Sequence, residues 1–264
     1  MTETPAAPVV PTIDLPGGPM PLLGIGTWQS EGSDAERAVI AALELGYTHV
    51  DTATGYGNEA EVGRALAAVD VDRDAVFVTT KLPPDHAGRE RQTLVESLAA
   101  LGTDHLDLWL VHWPPHKQAT PETWAAFIAA RDEGLVRSIG VSNYSVAQID
   151  ELIAATGEAP AINQIPWSPG DFDADLVAEH ARRGVRLEGY SPFKRTDLDD
   201  PVLTEIAAAH GVSTRQVVLR WHLDHEVVVI PKSTHPDRIR QNLDVVSFAL
   251  TPDEVARIDG LGRG

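Results

Sequence analysis

The sequence predicts an α/β fold, a (β/α)8 TIM barrel with an N-terminal β-hairpin cap, and three observations carry that prediction. Short apolar or β-branched stretches alternate with amphipathic helical ones through the chain, and eight of them read as strands. Each is nearly continuous in apolar residues, as strands covered on both faces are. Eight strand–helix units in about 240 residues match the size of such a barrel. A doubly wound sheet has the same alternation and is the competing arrangement.

Residues 1–11 (MTETPAAPVVP) are rich in Pro and Ala and are expected to be a flexible N-terminus. The remainder, 12–264, is expected to be one barrel domain, because no linker or change in composition divides it. TIDLPGGPMPLLG then reads as two short extended stretches around Pro16-Gly17-Gly18, a hairpin signal. The first barrel strand is expected at 22–25, with its helix at 34–46. Strands at 47–51, 75–81, 106–113, 136–142 and 161–165 follow, each with a helix behind it, at 58–69, 89–102, 121–134, 146–157 and 173–184. The last two strands, 185–191 and 227–233, enclose helical stretches at 201–211 and 213–225. Several helices stop at glycine (Gly46, Gly102, Gly134, Gly184 and Gly211), the residue that most readily takes the left-handed turn after a helix.

Composition narrows the functional classes. With 43% apolar and 23% charged residues the chain can bury a sizeable core. Its 39 acidic and 21 basic residues leave a net charge of −18, which argues against wrapping a nucleic-acid backbone. The absence of cysteine excludes disulfides, thiol nucleophiles and thiolate metal sites. No apolar run approaches the roughly 18 residues of a membrane span, and no leader pattern opens the chain, so a soluble cytoplasmic protein is expected. Only four of the basic residues are lysines: Lys81, Lys117, Lys194 and Lys232. A lysine ending an apolar strand therefore stands out.

Barrel chemistry gathers at the C-terminal ends of the strands. The polar residues at those ends are, in order, Trp28, Asp51, Lys81, His112 and Trp113, Ser142 and Asn143, Gln164, Glu188 with Tyr190 and Ser191, and Lys232 with Ser233. Singly, Asp51 could cap a helix, Tyr56 could be a packed loop aromatic and His112 a satisfied core histidine. Lys81 is harder to dismiss, since a lysine emerging from a buried strand must snorkel or pair. Together they make chemical sense. A phenol with a pKa of about 10 is a poor acid near neutrality. An adjacent ammonium should stabilise its phenolate and lower that value. A carboxylate would hold the lysine, and a neutral imidazole could orient a carbonyl oxygen. Such a set suits protonation of a developing alkoxide while hydride arrives from elsewhere. Trp28 and Trp113 should wall the pocket with Tyr56, and aromatic walls with few charges favour a small carbonyl compound.

DTATGYGNEAEVG, the strand-end lysine in VTTKL, LVHWP, GVSNY, NQI, YSP and IPKS together resemble the aldo-keto reductases, most closely the bacterial group containing diketogluconate reductases. The resemblance runs from about Ile13 to Gly260. It implies a barrel that binds extended NADPH without a Rossmann domain. It further implies a catalytic tetrad of Asp51, Tyr56, Lys81 and His112, with Tyr56 as general acid. Ser142, Asn143 and Gln164 would hold the nicotinamide carboxamide, and Tyr190 would stack on the ring. Thr27, Trp28 and Asp51 would lie beside the cofactor, and Ser191, Pro192 and Phe193 along its pyrophosphate. Lys232, Ser233, Thr234 and Arg238 match positions at the 2′-phosphate end, and Gln241 and Asn242 those beside adenine. The residues agree: STHPD reads as a turn into a helix start, which suits an anion, and lysine with arginine suits a dianionic phosphate. NADPH is therefore expected over NADH, with a monomer reducing small aldehydes, ketones or keto-sugars.

Other patterns compete. Gly55-Tyr56-Gly57-Asn58-Glu59-Ala60 fits a dinucleotide-binding fingerprint with Asp74 downstream, but a lone match is weak. His112 and His116 flank two prolines, and His222 and His225 find no third ligand, so no metal is expected. Asp51 and Glu188 could be the acid/base pair of a barrel glycoside hydrolase. A cofactor-binding regulatory homologue without turnover is the other alternative. The chain also departs from its relatives. Its tail ends at Gly264, and the loop after Lys81 (LPPDHAGRER) lacks the usual aromatic. Both lead to the expectation of an open pocket with broad specificity.

Overall fold

The computed structural model describes residues 9–263. Of the flexible start expected for 1–11, residues 1–8 lie outside the described residues, and residues 10 and 11 are held in place instead. Val10 is already buried in the core, and the Pro11 carbonyl accepts a hydrogen bond from the Leu22 amide.

β1 (Thr12–Leu15) and β2 (Gly18–Pro21) pair antiparallel as the expected hairpin. Its tip lies against the start of a barrel strand: the Gly17 amide donates to Ser138 Oγ, and a Cβ on Gly17 would fall 2.3 Å from the Arg137 carbonyl oxygen. Only glycine fits there. The hairpin thus lies at the N-terminal end of the barrel, opposite the polar ring.

The parallel strands are β3 (Ile25–Gly26), β4 (His49–Asp51), β5 (Phe77–Leu82), β6 (Leu106–Val111), β7 (Val136–Ser142), β8 (Ile162–Pro166), β9 (Arg186–Tyr190) and β10 (Val228–Val229). Each pairs with the next in sequence order. The first and last come together through parallel bridges, Leu23 to Val229 and Gly26 to Lys232, so the sheet closes on itself. That closure separates the fold from a doubly wound sheet, which has open edges.

Helices α1 (Ser33–Leu45), α2 (Glu59–Ala68), α3 (Glu90–Leu101), α4 (Pro121–Asp132), α5 (Val146–Thr156), α6 (Ala174–Arg182), α7 (Pro201–His210) and α8 (Thr214–Asp224) cover the outside. Two more, α9 (Pro236–Leu243) and α10 (Pro252–Asp259), follow β10. All five glycines read as stops have positive φ, between 66° and 103°. Gly46, Gly102 and Gly211 are the caps themselves, whereas Gly134 and Gly184 lie one residue beyond theirs. Outward strand residues bury against the helices: the Trp109 ring of β6 stacks on Phe127 of α4 with centroids 3.7 Å apart. A second apolar cluster, around stacked Trp167 and Trp221, joins β8 and β9 to α7, α8 and α10.

Candidate active site

The C-terminal strand ends surround a cavity of about 810 Å³. Asp51 is the last residue of β4 and Lys81 the penultimate residue of β5, so their side chains meet inside the barrel. Lys81 Nζ donates to Asp51 Oδ1 at 2.6 Å and to the Thr52 carbonyl at 2.8 Å. The Lys81 side chain is wholly buried. Burial lowers its pKa, but Asp51 and Tyr56 outweigh that cost and hold the ammonium's pKa above its usual value. Lys81 Nζ also sits 5.2 Å from the Tyr56 ring centroid, and His112 meets that ring edge-on at 5.5 Å. Four residues from three strand ends and one turn are thereby brought into one cluster.

Burial, seconded by the Lys81 charge, pushes the His112 imidazole down to about 3, so it is neutral over the physiological range as expected. Tyr56 corrects an expectation. Its pKa is raised, not lowered, because desolvation of the phenol exceeds the pull of Lys81, whose ammonium is engaged by Asp51.

The next strand ends form a second hydrogen-bonded group. Ser142 Oγ donates to the Gln164 carbonyl, and Asn143 Nδ2 donates to the His112 carbonyl and to Ser142 Oγ. Tyr190 Oη donates to Asn143 Oδ1 at 2.7 Å, which fixes its ring at the cavity wall. Gln164 Nε2 donates to Asp51 Oδ2 at 2.9 Å, tying this group to the Lys81 pair. Gln29, Asn143 and Ser191 line the cavity with φ near +60°, a strained backbone for non-glycine residues. Such conformations cluster where loops are held for function.

Trp28 and Trp113 line the mouth and are half exposed, at 52% and 49%. Ser191, Pro192, Phe193 and Lys232 also line the cavity. Thr27 is buried behind the wall, its amide and hydroxyl both donating to the Asp51 carbonyl. Ser233, Thr234, Arg238, Gln241 and Asn242 are not part of the cavity wall but lie on the segment entering α9 and on α9 itself. There Ser233 Oγ accepts from the His235 amide, and Arg238 and Gln241 are exposed while Asn242 is buried.

The sequence reading gave no site role to Asn58 or Glu59. Asn58 Nδ2 donates to the carbonyls of Thr27 and Ser30, and Oδ1 accepts from Thr52 Oγ1. It fastens the Trp28 loop to the Tyr56 turn. Glu59 accepts from Thr80, beside Lys81, and from Ser97 on α3, whose hydroxyl also meets Thr54. The fingerprint-like glycines thus belong to a turn that presents Tyr56, and Asp74 is engaged elsewhere, with Arg137. The two carboxylates of a hydrolase reading do not flank a cleft either. Asp51 is paired to Lys81, and Glu188 is wholly buried and absent from the cavity wall. Among the described residues no group of three His, Asp or Glu side chains is placed to hold a metal, and no helix is long and apolar enough to cross a membrane.

A closed parallel barrel with a lysine–carboxylate pair beneath a tyrosine and a neutral histidine defines a class of barrel oxidoreductases. The chain belongs to the Aldo/keto reductase family, whose profile matches residues 22–263. It is 45% identical over 263 residues to 2,5-diketo-D-gluconic acid reductase B of Corynebacterium sp. (strain SHS752001), covering 97% of this chain and 95% of that one. An aldo/keto reductase from Brucella melitensis superposes with a TM-score of 0.91 at 40% identity, covering 96% of this chain and 98% of the other. The Bombyx mori aldo-keto reductase in complex with NADP superposes at 0.87 with 37% identity, covering 96% and 92%. Membership of this family, with reductases among its relatives, makes the protein an oxidoreductase.

Proposed function

We propose that the protein is an NADPH-dependent carbonyl reductase in which Tyr56 is the general acid. The observation that carries this reading is the buried Lys81–Asp51 pair, its Nζ 5.2 Å from the Tyr56 ring centroid, at a cavity that Lys232 also lines. The residues fit a dinucleotide with a terminal phosphate. Asp51 and Lys232 line the same cavity, Tyr190 offers a flat wall, and Ser142, Asn143 and Gln164 offer amide and hydroxyl groups. Lys232 is an exposed cation in a strongly acidic chain, followed by Ser233 and the start of α9. When bound, the nicotinamide supplies hydride to the carbonyl carbon.

The chain's own groups do the rest. Neutral His112 donates a hydrogen bond to the carbonyl oxygen and orients it towards Tyr56. As negative charge develops on that oxygen, Tyr56 transfers its phenolic proton. The resulting phenolate is stabilised by the Lys81 ammonium, which Asp51 holds in place and keeps charged. General-acid assistance of this kind contributes about 10²–10⁴-fold. The raised pKa of Tyr56 keeps it protonated across the neutral range, as reduction requires.

Trp28 and Trp113 offer aromatic faces to the substrate, and their exposure supports an open mouth that accepts several small carbonyl compounds. A low-micromolar KM for one aldehyde with poor turnover of others would contradict that breadth. NADPH binding followed by fluorescence, then NADPH oxidation with a panel of aldehydes, ketones and keto-sugars, tests the reading. Binding with turnover of several carbonyls is expected. Binding without turnover would favour a regulatory homologue, and no binding would refute the reading.

A further inference from the structure

Glu188 of β9 points into the barrel below the site, and neither carboxyl oxygen has a hydrogen-bond partner. It is fully buried. An ionised carboxylate in that position would be poorly compensated, since Lys81 is already paired with Asp51 and Gln164 is the amide beside it. Its surroundings are themselves charged. β4 presents His49, whose Nε2 lies 4.0 Å from Glu188 Oε1, and Asp51; β5 presents Lys81; the turn after β4 presents Tyr56. β8 sets neutral Gln164 level with Glu188, and the paired residue on β10 is Val228. His49 does not supply a cation, since burial and then Lys81 push its imidazole down to about 3. Lys81 is therefore the one cation facing two carboxyls, and it is hydrogen-bonded to Asp51. Burial, then repulsion from Asp51, pushes Glu188 up to about 8.

Resting on the reductase reading, we propose that Glu188 is a positioning residue for the reaction: it stays protonated while Tyr56 donates, and its ionisation weakens Tyr56 as an acid. The coupling is electrostatic. A neutral Glu188 leaves the Lys81 field to Asp51 and Tyr56. A charged one adds a negative centre to the same water-free interior and makes the phenolic proton harder to release. The alkaline limb of carbonyl reduction in the native protein thus contains the loss of a proton from a group that touches neither substrate nor cofactor.

Glu188→Gln has the same shape and cannot ionise, and Glu188→Met provides a second uncharged side chain should the amide pack badly. Two readouts separate this proposal from the reductase reading. In thermal unfolding, a carboxyl raised from 4.5 to about 8 keeps its proton when folded and loses it when unfolded. Between those values the native protein's folded-to-unfolded ratio should fall about tenfold per pH unit relative to either variant. The Tm advantage of the variants should therefore widen from about pH 5 to about pH 8. In the reductase assay, the alkaline limb of kcat/KM should move to higher pH in both variants. A Tm difference that does not change with pH would overturn the proposal whether or not the protein reduces carbonyls. A widening Tm difference in an active enzyme whose alkaline limb does not move would overturn the link to Tyr56. Absence of reduction by the native protein, with the Tm difference still widening, would instead refute the reductase reading and leave the buried acid standing.

Discussion

Lys81 shows how far residue types alone can carry a functional argument. A lysine that ends an apolar strand must find a partner, and the pattern of apolar residues before it told where it would emerge. Asp51, 30 residues earlier, is that partner at 2.6 Å. Removing one member leaves the other as an uncompensated buried charge. Lys81→Met is expected to cost about 3–5 kcal/mol of stability, and the Asp51→Asn/Lys81→Met double variant less than the sum of the single changes. Urea unfolding of the three proteins measures this; additive losses would show that the pair is not coupled. What the residue types did not convey was the direction of the Tyr56 shift. A neighbouring ammonium lowers a phenol's pKa, but burial raises it, and only the packed structure shows that burial is the larger effect.

Among the elements, the turn between β4 and α2 does the most to set the site. Asn58 makes three hydrogen bonds there, two of them to backbone carbonyls of the β3 loop. Asn58→Ala is expected to remove the side-chain partner of the Ser30 carbonyl and one of the two donors to the Thr27 carbonyl, at about 1–3 kcal/mol, and to lower kcat by loosening Tyr56 and Trp28 together. A variant with unchanged Tm and kcat would contradict that bracing role. Neither Asn58 nor Glu59 was legible as a brace, because their partners (Thr27, Thr80 and Ser97) are brought near only by barrel closure and by the packing of α3. The strand-end residues were legible because parallel strands deliver their C-terminal ends to one face regardless of detail. The proposed phosphate end belongs to a separate element, the segment from Lys232 into α9. Lys232→Ala is expected to weaken NADPH binding far more than NADH binding in a fluorescence titration; equal losses for both would remove Lys232 from the 2′-phosphate.

At the scale of the whole molecule, the −18 charge describes the solvated surface, while the interior carries its own titration. His49 and His222 are fully buried, with pKa values lowered by burial from 6.5 to about 3 and about 4. Between pH 6.5 and those values the unfolded chain binds protons that the folded one does not. These two histidines therefore lower stability on acidification below about pH 6.5, by about 1.4 kcal/mol per pH unit for each, while the raised Glu188 carboxyl contributes the opposite slope down to about pH 4.5. Tm measured against pH checks this, and replacing His222 by Gln should flatten part of the slope. Closure of the barrel was only partly legible, since alternation gives the strand count but not which edges meet. The short bridges of Leu23 and Gly26 to the last strand decide that, and two-residue pairings leave no periodic trace in a sequence. The hairpin was legible from Pro16-Gly17-Gly18, but its seat against Arg137 and Ser138 was not.

The central claim, that Tyr56 protonates a carbonyl oxygen during NADPH-dependent reduction, is tested most directly by Tyr56→Phe. That change removes one oxygen and keeps the ring against His112 and Lys81. Single-turnover oxidation of bound NADPH by a small aldehyde should slow by about 10²-fold or more, with NADPH affinity changed only a few-fold. A variant that binds NADPH normally and keeps most of the native rate would contradict the account.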